Sequence, residues 1–223
     1  MTHTTLTLAV EKARQLTTPE ISDALDYFSL PGSLLGIKHI AGKQTLAGLA
    51  WTVRYVALDN DAPGTVGDFI DRVNAGDVVV IDNAGRQDCT VWGGILSQLA
   101  AQKGIAGTVI NGVCRDTAEA NEAAYPLFAV GRYMRTGKDR VQVGAVCEPV
   151  SISGVLIKQG DLVVADIDGV VIVPQKHIEA VVDRALSMQK IEREIINDAL
   201  KGMTLSEARK KHHYHQLQRN PNK

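Results

Sequence analysis

The chain has 223 residues, 45% hydrophobic and 22% charged, and its 24 Lys and Arg against 25 Asp and Glu leave a formal charge of −1. That composition excludes a disordered chain or a coiled coil, and the balanced charge offers no electrostatic footprint for a nucleic acid or an anionic membrane. At roughly 150 residues per domain the length allows one or two domains, and alternating α/β chains of this size commonly form one. Cys89, Cys114 and Cys147 show no CxxC or paired spacing, which suits a reducing compartment. The Met-Thr-His-Thr-Thr start has neither a basic n-region nor an apolar h-region, and no stretch approaches the roughly 20 apolar residues that span a bilayer. A cytoplasmic protein with no membrane or nucleic-acid partner is expected.

In chain order, Thr18-Pro19-Glu20 predicts a helix start with Thr18 as the capping hydroxyl. Ile21, Leu25 and Phe28 follow at helical spacing, and Pro31-Gly32 ends the element. Residues 51–56 are strand-like, and residues 65–68 predict a capping box before an apolar face of Phe69, Ile70 and Val73. Residues 77–82 form a β-branched run of the kind buried on both faces of a sheet. A loop then leads to Trp92-Gly93-Gly94 and a helix over 95–103, stopped by Gly104. Residues 105–110 predict a second buried strand and residues 117–124 another helix, giving a βαβ crossover with parallel strands. Residues 126–130 predict a third strand.

From 141 to 174 the pattern changes to short alternating strands, with a hairpin signal at Asp168-Gly169. Residues 175–200 predict a helix that stops at Gly202, and Thr204-Leu205-Ser206-Glu207 predicts a capping box for a last helix. Lys210, Lys211, His212, His213, Tyr214 and His215, with the 219–223 tail, read as solvated. The fold class is α/β, with a parallel βαβ layer, a β-rich second layer and C-terminal helices. The main domain covers 1–202, and 203–223 form a helical extension and tail.

Ligands of open α/β sheets bind at the carboxyl ends of the strands. Here the loops after Ile81 and Ile110 bring Gly93-Gly94 and Arg115-Asp116 to one crevice if their strands are neighbours. A helix opening at Gly94-Ile95-Leu96 would turn free N–H groups and a positive dipole end into it. Arg115 offers a planar fork for a carboxylate, and Asp116 a hard oxygen for Mg²⁺ or Mn²⁺. Together they suggest a small oxo-acid ligand. Other readings stand beside this one. Asp116 with Glu119 could be an N-cap pair, Arg115 a surface ion-pair partner, and the glycine pair a plain turn. Cys114 next to Arg115 reads as an activated thiolate or, more simply, a small buried hydrophobe. Asp166, Asp168 and Gly169 lack calcium-loop spacing and read as a turn.

Trp92-Gly93-Gly94-Ile95-Leu96, Asn111-Gly112-Val113-Cys114-Arg115-Asp116 and the 149–174 stretch with Gly160-Asp161-Leu162-Val163-Val164-Ala165-Asp166 resemble the RraA-like family. That family includes class II 4-hydroxy-4-methyl-2-oxoglutarate and 4-carboxy-4-hydroxy-2-oxoadipate aldolases and the regulator of ribonuclease E activity. The likeness runs from the Thr18 helix to about Gly202, and the G-x20-R-D-x2-E spacing from Gly94 to Glu119 is its most specific part.

The resemblance implies a swivelling β/β/α sandwich, assembled as a homotrimer or hexamer with sites between subunits. It also implies roles for particular residues. Arg115 would bind a 2-oxo acid and steady its enolate, and Asp116 would hold a divalent metal. Gly93, Gly94, Ile95 and Leu96 would contact the substrate carboxylate through their backbone. Glu119 is a possible accessory base, and Glu192 or Glu194 on the C-terminal helix would reach a neighbouring subunit's site. The family's aldolases carry an aspartate where this chain has Gly94, so metal and oxo-acid binding follow more directly than aldol cleavage.

The function expected is a metal-dependent carbon–carbon lyase on 2-oxo acids, releasing pyruvate from a 4-hydroxy-2-oxo acid, decarboxylating oxaloacetate, or both. No lysine sits at a recognisable Schiff-base position, which favours metal over imine chemistry. The alternative is a non-catalytic, protein-binding regulator of an RNA-processing enzyme.

Overall fold

In the computed structural model of this protein, residues 3–217 are described. The 219–223 tail, read as solvated from its sequence, lies outside them. Helices α1 (His3–Ala13) and α2 (Thr18–Phe28) precede strands β1 (Lys38–Ala41) and β2 (Leu46–Ala57). The chain continues through β3 (Asp77–Asp82), α3 (Gly94–Gln102), β4 (Gly107–Cys114), α4 (Thr117–Glu122) and β5 (Leu127–Arg132). Then come β6 (Val141–Val146), β7 (Val150–Ile152), β8 (Val155–Ile157), β9 (Leu162–Asp166) and β10 (Gly169–Val173). Helices α5 (Ile178–Leu200) and α6 (Leu205–Lys211) follow. Among the described residues no helix is long and apolar enough to cross a membrane.

The β-branched runs form the parallel centre of one sheet, ordered β1-β5-β4-β3-β2-β9-β10. Strands β2, β3, β4 and β5 are mutually parallel, with Ile81 opposite Ile110 and Asp82 opposite Asn111. The loops that leave β3 and β4 are therefore neighbours, as the crevice requires. The long β2 joins the two layers. Residues 49–54 pair with β3, while 46–49 pair with β9 and 53–57 with β6, both antiparallel. The Asp168-Gly169 hairpin forms, and β7 and β8 make a separate ribbon.

Alternation along each strand sorts its side chains between layers. Val79, Ile81 and Ile110 pack under α3 and α4 with Trp92, Ala100, Ala120 and Tyr125. Val78, Val80 and Val109 face the other way, meeting Val163, Ala165, Val170 and Ile172 and the β7–β8 ribbon. Leu162, Val164, Val171 and Val173 turn outward again, onto α1, α2 and α5. The result is an α/β sandwich of two strand layers between two helical ones. Fully burying one such Val or Leu contributes about 1.5–3 kcal/mol, so this alternation carries most of the fold's stabilisation.

Two local expectations are corrected. The cap of α2 is Thr17, whose hydroxyl accepts the Glu20 N–H at 3.4 Å while Glu20 accepts the Thr17 N–H at 2.7 Å. Thr18 is unavailable for capping because the buried carboxylate of Asp166 takes both its N–H, at 2.7 Å, and its hydroxyl, at 2.6 Å. The box expected over 65–68 does not form. The segment is a short 3-10 helix, Asp68–Arg72, without a side-chain cap, and the Thr65 carbonyl instead accepts the Val143 N–H at 3.0 Å. The box at Thr204 and Glu207 does form.

Asp166 also accepts the Asp168 N–H at 2.9 Å, so one carboxylate pins the start of α2 to the β9–β10 turn. Hydrogen bonds to a charged group are worth about 1.5–3 kcal/mol each, and leaving buried donors unpaired adds to the loss. Asp166→Ala is expected to lower unfolding stability by about 3 kcal/mol, read as a shifted urea midpoint at unchanged slope. A loss below about 1 kcal/mol would mean the clamp is dispensable.

Candidate functional site

The loop after β3 is sewn to the end of β4. The Thr90 hydroxyl lies 2.9 Å from the Trp92 carbonyl and 3.0 Å from that of Val113, and the Arg115 N–H donates to the Trp92 carbonyl at 3.0 Å. Trp92 is buried, stacked on Tyr125 at 5.9 Å, and its indole N–H donates to Ser97 Oγ at 3.0 Å. Ser97 Oγ in turn donates to the Gly93 carbonyl at 3.2 Å. These bonds fix the Gly93–Gly94 turn against the strand end before any ligand arrives.

Asp116 sits in the left-handed region, φ 55° and ψ 45°, which Asp tolerates better than most residues because its short polar side chain can bond locally. Its carboxylate does not cap its own helix. Oδ2 accepts the Gly94 N–H, the first donor of α3, at 3.0 Å, across 22 positions of sequence. The capping alternative with Glu119 is thereby set aside. Gly93 must be glycine for this contact, since a Cβ there would stand 2.6 Å from Asp116 Oδ2. Arg115 Nε lies 3.3 Å from the same oxygen, with side chains 39% and 37% exposed. At that exposure the pair contributes under about 1 kcal/mol, so it orients the two groups more than it stabilises the fold. Arg115 Nη1 reaches the Met134 carbonyl at 3.5 Å.

In the first turn of α3, the Gly94 N–H is held by Asp116, and the Ser97 N–H bonds the Gly93 carbonyl. The N–H groups of Ile95 and Leu96 remain for a ligand at the positive end of the helix. A pocket of about 400 Å³ opens here, lined by Arg115, Asp116, the first turn of α3 and residues 66–71. A larger cleft, about 760 Å³, lies at the opposite ends of the strands and holds none of the predicted site residues. Size alone does not make a site. The smaller pocket gathers the charged groups, helix donors and strand ends.

Gly93, Gly94, Ile95, Leu96, Arg115 and Asp116 thus come together. Glu119 stands beside them, its Cγ 3.2 Å from where a Cβ on Gly94 would be. Glu192 and Glu194 do not line this pocket within one chain. Glu192 lies by Asp23 and Glu20, and burial together with those two charges raises its carboxyl above the usual range. Glu194 pairs with His212 at 3.4 Å.

His212, read as solvated, is instead part-buried and bonds Asp198 of α5 at 2.7 Å because α6 folds back onto α5, while Lys211 stays exposed, as read, and pairs with the same carboxylate at 2.8 Å. Cys114 is buried, and that burial pushes its thiol up to about 12, so the thiolate reading falls. Among the described residues no group of three or more His, Cys, Asp and Glu is arranged to hold a metal. Thr90, Ser97, Asp68 and Asp71 were missed as site residues. Only their place in space, and no spacing in the sequence, marks them.

A two-layered strand sandwich with a crevice at its parallel strand ends, where Arg115 and Asp116 meet the start of α3, is the class that fold and site define. The family model RraA-like, described as Aldolase/RraA, matches residues 18–172, and the chain belongs to that family. Protein DlpA of Legionella pneumophila is 38% identical over 201 residues, covering 88% of this chain but only 32% of its own, so this chain spans about a third of DlpA's length. A protein of Halalkalibacterium halodurans, provisionally named 4-hydroxy-4-methyl-2-oxoglutarate aldolase, is 34% identical over 182 residues, 81% of this chain and 83% of its own. The crystal structure of an uncharacterized protein from Pseudomonas syringae pv. tomato superposes with a TM-score of 0.87 at 41% identity, covering 92% of this chain and 94% of that one.

The glycine pair yields a graded test. Gly93→Ala places a methyl against Asp116 Oδ2 and should lower any turnover at this site at least tenfold. Gly94 has no left-handed backbone, and its nearest neighbour would be the flexible Glu119 side chain at 3.2 Å. Gly94→Ala should therefore cost less than threefold. Equal losses in steady-state kinetics would show that the Asp116–Gly94 contact is not what the turn protects.

Proposed function

We propose that this chain is a divalent-metal-assisted carbon–carbon lyase acting on 2-oxo acids. The observation that carries the reading is Asp116 held by the Gly94 N–H beside Arg115, at the mouth of the crevice where the α3 N-terminus opens. The donor set fits Mg²⁺ or Mn²⁺. The Gly94 N–H bond and the Arg115 ion pair both fall on Asp116 Oδ2, which would leave Oδ1 as a hard oxygen ligand, and Mg²⁺ is commonly bound by one or two carboxylates while keeping several waters. When bound, such an ion supplies Lewis acidity to the 2-oxo group.

The remaining work falls to this chain's own side chains. The Arg115 fork takes the substrate carboxylate in a bidentate contact, with the Ile95 and Leu96 N–H groups assisting. Retro-aldol cleavage breaks the C3–C4 bond of a 4-hydroxy-2-oxo acid, and its electron pair moves onto the 2-oxo oxygen as an enolate. The 4-hydroxyl proton leaves as the new carbonyl forms, and protonation of C3 completes pyruvate. Arg115 stands beside the charge that develops, where fixed donors act most strongly. Glu119, whose side chain packs beside Gly94, is the carboxylate assigned to receive the hydroxyl proton. Decarboxylation of oxaloacetate passes through the same enolate without that proton transfer. No lysine lines the pocket among the described residues, so an imine route lacks its amine.

The test is pyruvate release from oxaloacetate with and without Mg²⁺. Wild type should show Mg²⁺-dependent release. Asp116→Asn, which keeps a residue tolerant of the left-handed backbone, should lose at least about a hundredfold. Arg115→Lys should be nearly as damaging as Arg115→Ala, because a point charge cannot reproduce a planar fork. Wild-type turnover by Asp116→Asn after chelation and Mg²⁺ restoration would contradict the assignment. Absence of any release by wild type would favour the regulator reading instead.

A further inference from the structure

A continuous run of hydrogen bonds leads from the buried Trp92 to Asp116. The Trp92 indole N–H donates to Ser97 Oγ at 3.0 Å, and the Ser97 hydroxyl donates to the Gly93 carbonyl at 3.2 Å. On the other side of the same peptide, the Gly94 N–H donates to Asp116 Oδ2 at 3.0 Å. Trp92 and Ser97 are buried, and all three bonds lie within a single chain, whatever a neighbouring subunit adds to the crevice. A serine inside a helix commonly bonds the carbonyl four residues back. This one differs in two respects. The indole donor occupies its oxygen from one side, which leaves its single proton for Gly93. The carbonyl it meets belongs to a Gly–Gly peptide, which has no side chain on either flank to fix its plane.

We infer that Ser97 is a positioning residue for the Asp116 carboxylate, acting through the Gly93–Gly94 peptide. The inference rests on the proposed reading of Asp116 as a metal ligand. The Ser97 N–H already bonds the Gly93 carbonyl at 3.1 Å as part of the helix, and the hydroxyl adds a second donor to the same oxygen. Two donors on the carbonyl polarise the peptide and make its N–H a stronger donor to the carboxylate, because successive bonds that point one way strengthen one another. With its plane fixed at both ends, the peptide holds Oδ2 and so restrains the whole carboxylate. Groups bonded directly to a metal ligand typically change metal affinity by roughly 10–100-fold when removed. Ser97 acts one bond further out, with the helical bond left in place. Its effect should be smaller, roughly fivefold, the equivalent of one neutral hydrogen bond.

The test is Mn²⁺ titration of the full chain, followed by electron paramagnetic resonance, alongside urea unfolding. Wild type should bind one Mn²⁺, and Ser97→Ala should bind it roughly fivefold more weakly. Alanine favours a helix interior, so this variant should fold. Ser97→Thr, whose hydroxyl can reach the same carbonyl, should recover most of the affinity. Ser97→Ala also leaves the buried indole N–H without an acceptor, which lowers stability in its own right. In a Trp92→Phe background that contribution is absent. Adding Ser97→Ala there should cost less stability, while the roughly fivefold loss of Mn²⁺ affinity should remain. Wild-type affinity in Ser97→Ala, no recovery in Ser97→Thr, or a loss that vanishes in the Trp92→Phe background would overturn the inference and leave the metal reading standing. Absence of Mn²⁺ binding by wild type would overturn the metal reading, and the inference with it.

Discussion

The site depends on one hydrogen bond, from the first N–H of α3 to the carboxylate of Asp116. It joins the helix after β3 to the second residue after β4, so the two loops behave as one wall. It can form only because Gly93 leaves room for the oxygen and because Asp116 tolerates a left-handed backbone. A non-glycine residue in that region costs about 1–3 kcal/mol, and such strain persists where the surroundings over-determine it. Here Trp92, Ser97 and Thr90 supply that rigidity.

The layers set up this contact. Parallel pairing of β3 with β4 is possible because both strands are apolar on both faces, one side packed under α3 and α4 and the other on β9 and β10. Parallel strands end at the same edge, so their following loops and the α3 N-terminus converge there. The carboxylate clamp at Asp166 plays the corresponding part on the other side of the sandwich, docking α2 to the hairpin. Polar contacts thus fix how layers meet, while apolar alternation supplies most of the stabilisation.

Much of this was legible from local pattern. The β-branched runs of β3 and β4, the hairpin at Asp168-Gly169 and the box at Thr204 each rest on residues close in sequence, and the structure shows all three, although β4 covers 107–114 where 105–110 was expected. The failures have one cause, a distant partner outcompeting a local one. Thr18 lost its capping role to Asp166, 148 positions away. Asp116 looked like the cap of its own helix because Glu119 lies at the right spacing, yet it bonds Gly94. His212 looked solvated and is held by Asp198. Asp68 and Asp71 carried no site signal, since only the packing of the 3-10 segment against α3 brings them to the pocket.

The central claim is that Asp116 holds a divalent ion in the crevice where a 2-oxo acid binds. Titration of Mn²⁺ followed by electron paramagnetic resonance tests it without reference to turnover. Wild type should bind one Mn²⁺ per chain and bind it more tightly when oxalate, a planar mimic of the pyruvate enolate, is present. Asp116→Asn should lose that site at an unchanged melting temperature. Wild-type Mn²⁺ affinity in Asp116→Asn, or no effect of oxalate on wild type, would contradict the account.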